Sequence, residues 1–285
     1  MAAEQLGLPR STVSEQIRSL ENQLGARLFN RSTRRVQATQ DGLQLYERSK
    51  ELLSRLEEIE GLFRADPADL SGCLRVDLPT RMARRIILPR LPAFMAQHPG
   101  LTLEVSCTDR QVDLLREGFD CVLRIGGLGD LDLVARPLGQ LAVVNCASPA
   151  YLQRYGTPAS LADLRGHQLV HYVQNLGTRS AGFEYRDGEL TRFVEMSGAI
   201  TANNTDAYES AGLAGLGIIQ APWIGVRDYL DDGRLQALLP QHVPEAMPVS
   251  LLYARQRYLP PRVRLFMDWL ADLLAEQLAP VAGAG

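Results

Sequence analysis

Two histidines, His167 and His171, lie four residues apart, a spacing that could place both on one face of a helix to bind a metal ion. A zinc-peptidase motif also needs a glutamate directly after the first histidine. This chain has Gln168 there, and an amide cannot act as a general base. The segment HQLVHY also favours a strand, so we expect two histidines at the surface or at a sheet edge.

Other residue types with catalytic potential form no recognisable set. The sequence contains neither a G-x-S-x-G nucleophile elbow nor a P-loop. GGLG at 126–129 is too short for a dinucleotide-binding loop, and GLAGLG at 212–217 ends a helix rather than opening one. The acidic turn at 231–233 offers little to a metal. We therefore predict no catalytic residues, no metal and no cofactor, and hence a protein that is not an enzyme.

Arginines near the start of the chain have a different chemistry, the recognition of a polyanion. Residues 1–40 contain six arginines and three acidic residues, although the net charge of the whole chain is −3. The remaining residues must therefore carry the negative charge. A basic head on an acidic body is typical of proteins that bind nucleic acid. A solvated basic face is the alternative that charge alone leaves open.

The helices that would position these arginines follow from the apolar spacing. Apolar residues recur at intervals of three and four over 13–24, which predicts an amphipathic helix that stops at Gly25. Ser11 or Thr12 could cap its start. A shorter helix over 2–6 precedes it, separated by a Gly-Leu-Pro turn. Two helices joined by a tight turn form a helix-turn-helix unit.

The exposed start of the second helix presents hydroxyls and arginines that could reach base edges in the major groove of DNA. Glu15 is unusual in this position because phosphates repel a carboxylate. It could accept a hydrogen bond from cytosine, orient an arginine, or simply face solvent. The residues that we predict to contact DNA from this helix are Arg10, Ser11, Thr12, Ser14, Glu15 and Arg18.

A polar, basic segment follows, between the apolar pair Leu28–Phe29 and Val36. This pattern predicts a two-stranded wing whose tip lies at 30–33. Arginines on a wing bind phosphates, which gives salt-dependent affinity without reading the sequence. The predicted contacts of the wing are Arg31, Ser32, Thr33, Arg34 and Arg35.

A long helix is predicted after Thr39, which could cap it. Its apolar residues form a narrow seam that favours pairing with a second helix, while packing on its own domain is the alternative. The seam residues are Leu45, Leu52, Leu56, Ile59 and Phe63. A hinge at 66–69 follows. The chain is thus divided into a head at 1–40, a linker at 41–70 and a body at 71–285.

The body alternates strand-like and helical segments, for example a strand at 73–79 and a helix at 81–99, which predicts an α/β fold with mostly parallel sheets. Ligands bind such sheets beyond the carboxyl ends of the strands, near helix N-termini. Three segments meet this description: 79–81, 124–126 and 203–205. The glycines at 126, 127 and 129 would allow a ligand to approach the backbone closely.

The first 42 residues closely resemble the DNA-binding domain of LysR-type transcriptional regulators. The resemblance rests on the segment AAEQLGLPRSTVSEQIRSLENQLGARLFNRSTRRVQATQDG. The chain departs from the family at Glu15, a position where the family usually has Arg or Lys. The family also has a further helix ahead of AAEQLG, so we expect the start at Met1 to reflect a misplaced initiation codon or a truncation.

The resemblance continues through the body, in VDLPTRMARRIILPRLPAF, DCVLRIG and CASPAYLQRYGTP. It implies a winged helix-turn-helix, a dimerising linker helix and a two-lobed α/β domain similar to periplasmic binding proteins, with a small-molecule cleft between the lobes. Lobe I would comprise 71–141 and 248–285, and lobe II 142–247. The effector contacts that it implies are Thr80, Arg81, Arg124, Gly126, Asn203 and Asn204.

The implied function is sequence-specific regulation of transcription in response to a small molecule. The partners would be double-stranded DNA, the effector, further copies of the chain in a dimer or tetramer, and RNA polymerase. Arg81 and Arg124 suggest an anionic effector, although each could instead pair with a neighbouring acid. A solute-binding protein or an α/β enzyme built on 71–285 is the alternative function.

Four cysteines occur singly, without a CxxC pair, and their apolar or strand-like surroundings predict buried, reduced thiols. The sequence has no apolar stretch long enough to span a membrane. Its N-terminus lacks the basic and then apolar pattern of a signal peptide. We therefore predict a cytoplasmic protein.

Overall fold

The structure, a computed structural model, describes residues 9–31, 36–61, 70–128, 133–255 and 259–278. The chain forms two compact units. One comprises Met1–Ala65 with Gln256–Pro260, and the other Asp66–Arg255 with Pro261–Gly285. The first unit is mainly helical, and the second is a mixed α/β domain.

Helix α1, Arg10–Leu24, opens the described part of the first unit. Gly25 ends it in the left-handed conformation, with φ of 64°, as its place in the sequence predicts. The predicted cap by Ser11 or Thr12 is wrong. The carbonyl of Pro9 already accepts a hydrogen bond from the Val13 amide at 3.2 Å, so both hydroxyl residues lie inside the first turn.

The predicted wing is a short antiparallel pair, β1 (Phe29–Arg31) and β2 (Val36–Ala38). The tip, residues 32–35, lies outside the described residues. Leu28 is buried just before β1. The Glu21 carboxylate fixes this corner by accepting hydrogen bonds from the amides of Leu28 at 2.8 Å and Phe29 at 3.2 Å. An acidic residue of α1 therefore anchors the start of the wing.

The long helix α2 spans Gln40–Gly61. Thr39 caps it as predicted, because its Oγ1 accepts a hydrogen bond from the Gly42 amide at 3.0 Å. Of the predicted seam, Leu45 is half-buried and Leu52 is 67% exposed. The side chains of Leu56, Ile59 and Phe63 lie outside the described residues.

The second unit is built on twelve described strands. They are β3 (Gly72–Leu78), β4 (Leu101–Cys107), β5 (Cys121–Ile125), β6 (Leu133–Leu141), β7 (Val143–Ala147), β8 (His171–Tyr172), β9 (Phe183–Asp187), β10 (Leu190–Val194), β11 (Thr201–Ala202), β12 (Ile219–Pro222), β13 (Gln236–Leu238) and β14 (Met247–Ala254).

Two main sheets define two lobes within this unit. One lobe is built on a five-stranded sheet in the order β4-β3-β5-β14-β6, and the other on a three-stranded sheet in the order β12-β7-β13. The prediction of mostly parallel sheets is wrong. In the two main sheets, the parallel pairs among the described strands are β3–β4 and β3–β5. The other pairs are antiparallel, because β14 returns from the second lobe between β5 and β6, and β12 and β13 both flank β7.

Helices cover these sheets. They are α3 (Thr80–Met82), α4 (Leu91–Gln97), α5 (Leu114–Glu117), α6 (Pro149–Tyr155), α7 (Thr205–Leu213), α8 (Trp223–Asp231) and α9 (Pro261–Ala275). The single helix predicted over 81–99 is divided. Its first part continues from α3 as a π-helical segment, Ala83–Ile87, and prolines follow at 89 and 92, where the backbone cannot donate a hydrogen bond.

The prediction of buried cysteines is correct for Cys121 and Cys146 and wrong for Cys73 and Cys107, which are exposed. Both exposed thiols lie at ends of parallel strands, Cys73 near the start of β3 and Cys107 at the end of β4. Strand ends leave the packed layer, which explains their accessibility. Among the described residues, no helix is long and apolar enough to cross a membrane.

Candidate functional site

A cavity of about 380 Å³ lies between the two lobes, beyond the carboxyl ends of β3 and β5 and beside the start of α7. Much of its wall is apolar and includes Met82 from one lobe and Val173 and Ile224 from the other. Tyr172 and Tyr208 add an edge-to-face pair of rings with centroids 5.3 Å apart. A molecule in this cavity would contact both lobes.

Arg81 crosses from the first lobe to the second. Its guanidinium is largely buried, lies 2.8 Å from the Glu209 carboxylate and 3.4 Å from that of Asp206, and donates a hydrogen bond to the carbonyl of Gly225. The guanidinium carbon also lies 5.2 Å from the centre of the Tyr229 ring. This arginine is therefore occupied by groups of the second lobe.

Arg124 has its own carboxylate partner. Its Nη2 donates to Asp77 Oδ2 at 2.7 Å, and Nη1 donates to the Leu123 carbonyl at 3.0 Å. Asp77 is fully buried and also accepts from the Thr108 hydroxyl at 3.0 Å. The alternative left open by the sequence, an arginine paired with an acid, is thus the arrangement at both Arg81 and Arg124.

Asp109 joins the two lobes through neutral donors. Oδ1 accepts from the Thr80 amide at 3.0 Å, and Oδ2 accepts from the Thr205 amide at 2.7 Å and from Asn204 Nδ2 at 3.4 Å. Both amides belong to first residues of helices, which have no partner inside the helix. One carboxylate therefore satisfies α3 and α7 together.

Glu209 is the least expected residue of the site, since its side chain lies on α7 and is only 2% exposed. The pKa of this carboxyl is raised to about 7, mainly by burial and also by the nearby charges of Asp206 and Asp109, against the opposing effect of Arg81 and Arg85. An acidic residue in an otherwise apolar helix stripe was the only signal of it in the sequence. Asp109 carried no signal, because its partners lie on segments distant in sequence.

The predicted effector residues divide into two groups. Three line the cavity: Arg81, Arg124 and Gly126. The other three are near it but do not line it. Thr80 uses its backbone amide to bind Asp109, Asn204 caps α7 by accepting from the Ala207 amide at 3.1 Å, and Asn203 is exposed.

The expected surface histidines are found only in part. His171 is half-buried in β8, but His167 is buried, with Nδ1 3.1 Å from the Tyr151 hydroxyl. The prediction was wrong for His167 because the 3₁₀ turn Asp163–Gly166 directs it under α6, where burial lowers its pKa. Among the described residues, no group of three or more potential ligands could hold a metal ion.

The predicted DNA contacts of α1 lie within its first nine residues. The exposed ones are Ser11, Glu15 and Arg18. The half-buried ones are Thr12 and Ser14. Arg10 is the first residue of the helix and Arg31 the last of β1, whereas the other wing residues, 32–35, lie outside the described part of the chain.

Two family models match this chain: the LysR substrate-binding domain over residues 67–275, and the bacterial regulatory helix-turn-helix protein, lysR family, over residues 1–43. The chain belongs to the LysR family of transcriptional regulators. The predicted fold class is confirmed by this match: an α/β protein with an N-terminal winged helix-turn-helix, a long linker helix and a two-lobed α/β effector domain similar to periplasmic binding proteins. As a LysR-type regulator the protein is not an enzyme, and the alternative of a solute-binding protein is excluded.

Individual relatives support the assignment along nearly the whole length. The chain is 47% identical over 277 residues to the uncharacterized regulator YhjC of Escherichia coli K12, covering 97% of this chain and 93% of YhjC. It is 36% identical to an HTH-type transcriptional repressor of Pseudomonas aeruginosa, covering 99% and 90%.

Solved structures of LysR-type regulators also match this LysR-type chain. CrgA of Neisseria meningitidis is 29% identical, with a TM-score of 0.64 over 96% of this chain and 92% of CrgA. Full-length AphB, a virulence activator of Vibrio cholerae, is 27% identical, with a TM-score of 0.61 over 95% and 92%. The two parts of the fold therefore occur together in known regulators.

Proposed function

We propose that the cavity between the lobes is the effector site of this LysR-type regulator. The observation that carries the proposal is that both lobes line one cavity and already contact each other across it, through Arg81 and Asp109. A molecule bound there would favour one arrangement of the lobes by its differential affinity, which is what a switch requires. The predicted lobes, 71–141 with 248–285 and 142–247, are the moving parts of this proposal.

A variant that blocks the cavity tests whether it is the effector site. Gln174 is exposed at the rim of the cavity, so Gln174→Trp would place an indole at its mouth without disturbing a core residue. Binding to a promoter fragment should survive, while stabilisation of the variant by metabolites that stabilise the parent should be lost. Metabolites that stabilise both proteins equally would show that they bind elsewhere.

The head, residues 1–40, is proposed to bind DNA through α1 and the wing. Arginine near the start of α1 would read base edges, and arginines of the wing would bind phosphates. We expect Arg34→Ala to weaken binding to every duplex and to reduce the slope of log K against log salt by about 1. Arg18→Ala should instead reduce the ratio of the affinity for a promoter fragment to the affinity for random duplex DNA. Equal effects of both variants on all duplexes would contradict these separate roles.

Self-association through the linker, residues 41–70, is supported by apolar residues that remain uncovered on α2. Leu52 is 67% exposed and Leu53 is 56% exposed. Exposed leucines on one helix favour a partner helix, and a dimer or tetramer follows. Light scattering of Leu52→Glu should show a smaller assembly than the parent. The proposed setting is the bacterial cytoplasm, with RNA polymerase as a protein partner of the DNA-bound form.

The anionic effector that the sequence predicts has less support than the cavity itself. The prediction depended on Arg81 and Arg124, and each is paired with a carboxylate. A free anion would compete with those carboxylates and would also approach Asp109. The distribution of charge favours a different class of effector.

A further inference from the structure

Glu209 presents an unsatisfied carboxylate at the wall of the cavity. Within the described residues, neither of its buried oxygens accepts a hydrogen bond, although Oε2 lies 2.8 Å from Arg81 Nη2. That nitrogen donates instead to the carbonyl of Gly225. A buried carboxylate without aligned donors is costly, so Glu209 would gain from a further hydrogen-bond donor in addition to its ion pair with Arg81.

The charges around the cavity add a second, independent observation. Arg124 is matched by Asp77, and Arg81 is matched by Glu209. Asp109 is then an additional carboxylate, since the donors that contact it are the neutral amides and side-chain amide described above. The residues that line the cavity are balanced in charge, with Arg81 and Arg124 against Asp109 and Glu209, and the buried Asp77 beside Arg124 gives the group a net negative charge. A net negative charge favours a cation over an anion.

The apolar wall limits what else the ligand can be. Tyr172, Val173 and Ile224 line the space between the polar groups, and a cavity of about 380 Å³ accommodates a small molecule with an apolar body. A tyrosine ring face is also a favourable neighbour for an ammonium group. A small hydrophilic cation would leave this wall uncovered.

We propose that the effector carries a protonated amine, which donates to Glu209, on an apolar body that lies against Tyr172, Val173 and Ile224. This inference depends on the proposed function of the cavity as the effector site. Glu209 is then the residue that determines which class of molecule the regulator detects. The raised pKa of its carboxyl agrees with a site that needs a further donor to keep the charged form.

Three small probes with the same phenylethyl body test the charge preference in the full chain. They are phenethylamine, phenethyl alcohol and hydrocinnamate, and their affinities are measured by calorimetry and by the shift in unfolding temperature. We expect the amine to bind more tightly than the alcohol, and the alcohol more tightly than the carboxylate. In Glu209→Gln the amine should bind about tenfold more weakly or worse, with the alcohol little changed.

Control variants identify the site. Glu104→Gln removes an exposed carboxylate that is paired with Arg75 on the sheet, and it should leave all three affinities unchanged. The ranking of probes on the parent protein requires no variant to fold, so it tests the proposal even if Glu209→Gln is unstable. Circular dichroism and retained binding to a promoter fragment check that the variants are folded.

Several results would overturn the proposal. Hydrocinnamate bound at least as tightly as the amine, an amine affinity unchanged in Glu209→Gln, or no binding of any probe would each do so. The Gln174→Trp variant distinguishes a wrong charge preference from a wrong location of the effector site. If hydrocinnamate binds to the parent and this binding is lost in Gln174→Trp, the cavity remains the effector site and only the proposed preference for a cation is wrong. If probes bind equally to Gln174→Trp, the cavity is not the site.

Discussion

At the scale of single residues, the polar groups of the cavity differ in how well they are satisfied. Asp77 and Asp109 each accept several aligned hydrogen bonds. Glu209, by contrast, has an arginine nearby but no aligned donor among the described residues. Asp77 and Asp109 therefore stabilise the protein, whereas Glu209 is held against its preference for water.

This difference predicts a pH-dependent stability. The folded-state pKa of Glu209, about 7, is above its ordinary value near 4.5, so its contribution to stability is present below pH 4.5 and is lost as pH rises through 7. Arg81, Arg85, Asp206 and Asp109 act on it from both lobes. Relative to Glu209→Gln, which cannot titrate, the parent should lose about 3 kcal/mol between about pH 5 and about pH 8.

Urea unfolding of both proteins across this pH range measures the difference in the free energy of unfolding. Most other titrating groups are shared by the two proteins and cancel in the comparison. Curves that stay parallel over the whole range would show that Glu209 titrates normally.

We expect two adjacent asparagines to differ in their contribution to stability. Asn204 caps α7 by accepting from the Ala207 amide, so Asn204→Ala should reduce the free energy of unfolding by about 1 kcal/mol. Asn203 is exposed and outside the cavity wall, so Asn203→Ala should change stability by less than about 0.5 kcal/mol. Thermal unfolding of the pair tests this directly. A larger loss of stability in Asn203→Ala than in Asn204→Ala would contradict the capping role of Asn204.

The sequence located cationic side chains of the cavity but not the groups that neutralise them. Arg81 follows the end of β3, and Arg124 is the last residue but one of β5, positions that local pattern reveals. Their partners Glu209 and Asp77 are far away along the chain, and only the tertiary fold brings them together. An effector charge inferred from arginines alone was therefore unreliable for a physical reason.

At the scale of secondary structure, backbone and side-chain contacts join the wing to the start of α2. The Thr39 amide donates to the Leu28 carbonyl at 2.9 Å, and the Thr39 hydroxyl caps α2. A Cβ on Gly42 would lie 2.1 Å from the same Leu28 carbonyl oxygen. The start of α2 can therefore approach the strand only with glycine at this position.

Gly42→Ala should separate α2 from the wing. The clash is with backbone that cannot rotate away, so we expect a loss of about 1–3 kcal/mol in the stability of the head and weaker binding to every duplex. Gly166→Ala is the matched control, because a Cβ there would meet nothing within 4 Å. Thermal unfolding measures the stability of the two variants, and fluorescence anisotropy of labelled duplex DNA measures their affinity for DNA. An unaffected Gly42→Ala would show that the junction has room to adjust.

Helices with regular apolar spacing were predictable, and short irregular elements were not. The spacing over 13–24 and the glycine after it located α1 well. The division of residues 80–97 into α3, a π-helical segment and α4 depends on packing around two prolines. The antiparallel strands of the second lobe depend on where the chain crosses between lobes, which local patterns do not encode.

At the scale of the whole effector-binding unit, the two lobes are joined by polar contacts around the cavity. Arg81 reaches Glu209 and Asp206, and Arg85 lies 3.4 Å from Asp228 on α8. Asp109 completes the set by accepting from helix amides of both lobes. Such contacts can be exchanged for contacts with a ligand, so they are suited to the change in lobe arrangement that we propose.

Asp109→Ala should loosen the lobes because it leaves the amides of Thr80 and Thr205 without an acceptor. Both amides are part-buried and lose their protein acceptor, so faster hydrogen exchange is expected at both together. Asp113→Ala is the matched control, since Asp113 caps α5 within one lobe and should accelerate exchange only locally. If exchange accelerated at Thr80 alone, Asp109 would stabilise one helix without joining the lobes. Slower exchange on adding an effector to the parent, absent in Asp109→Ala, would connect this carboxylate to the response.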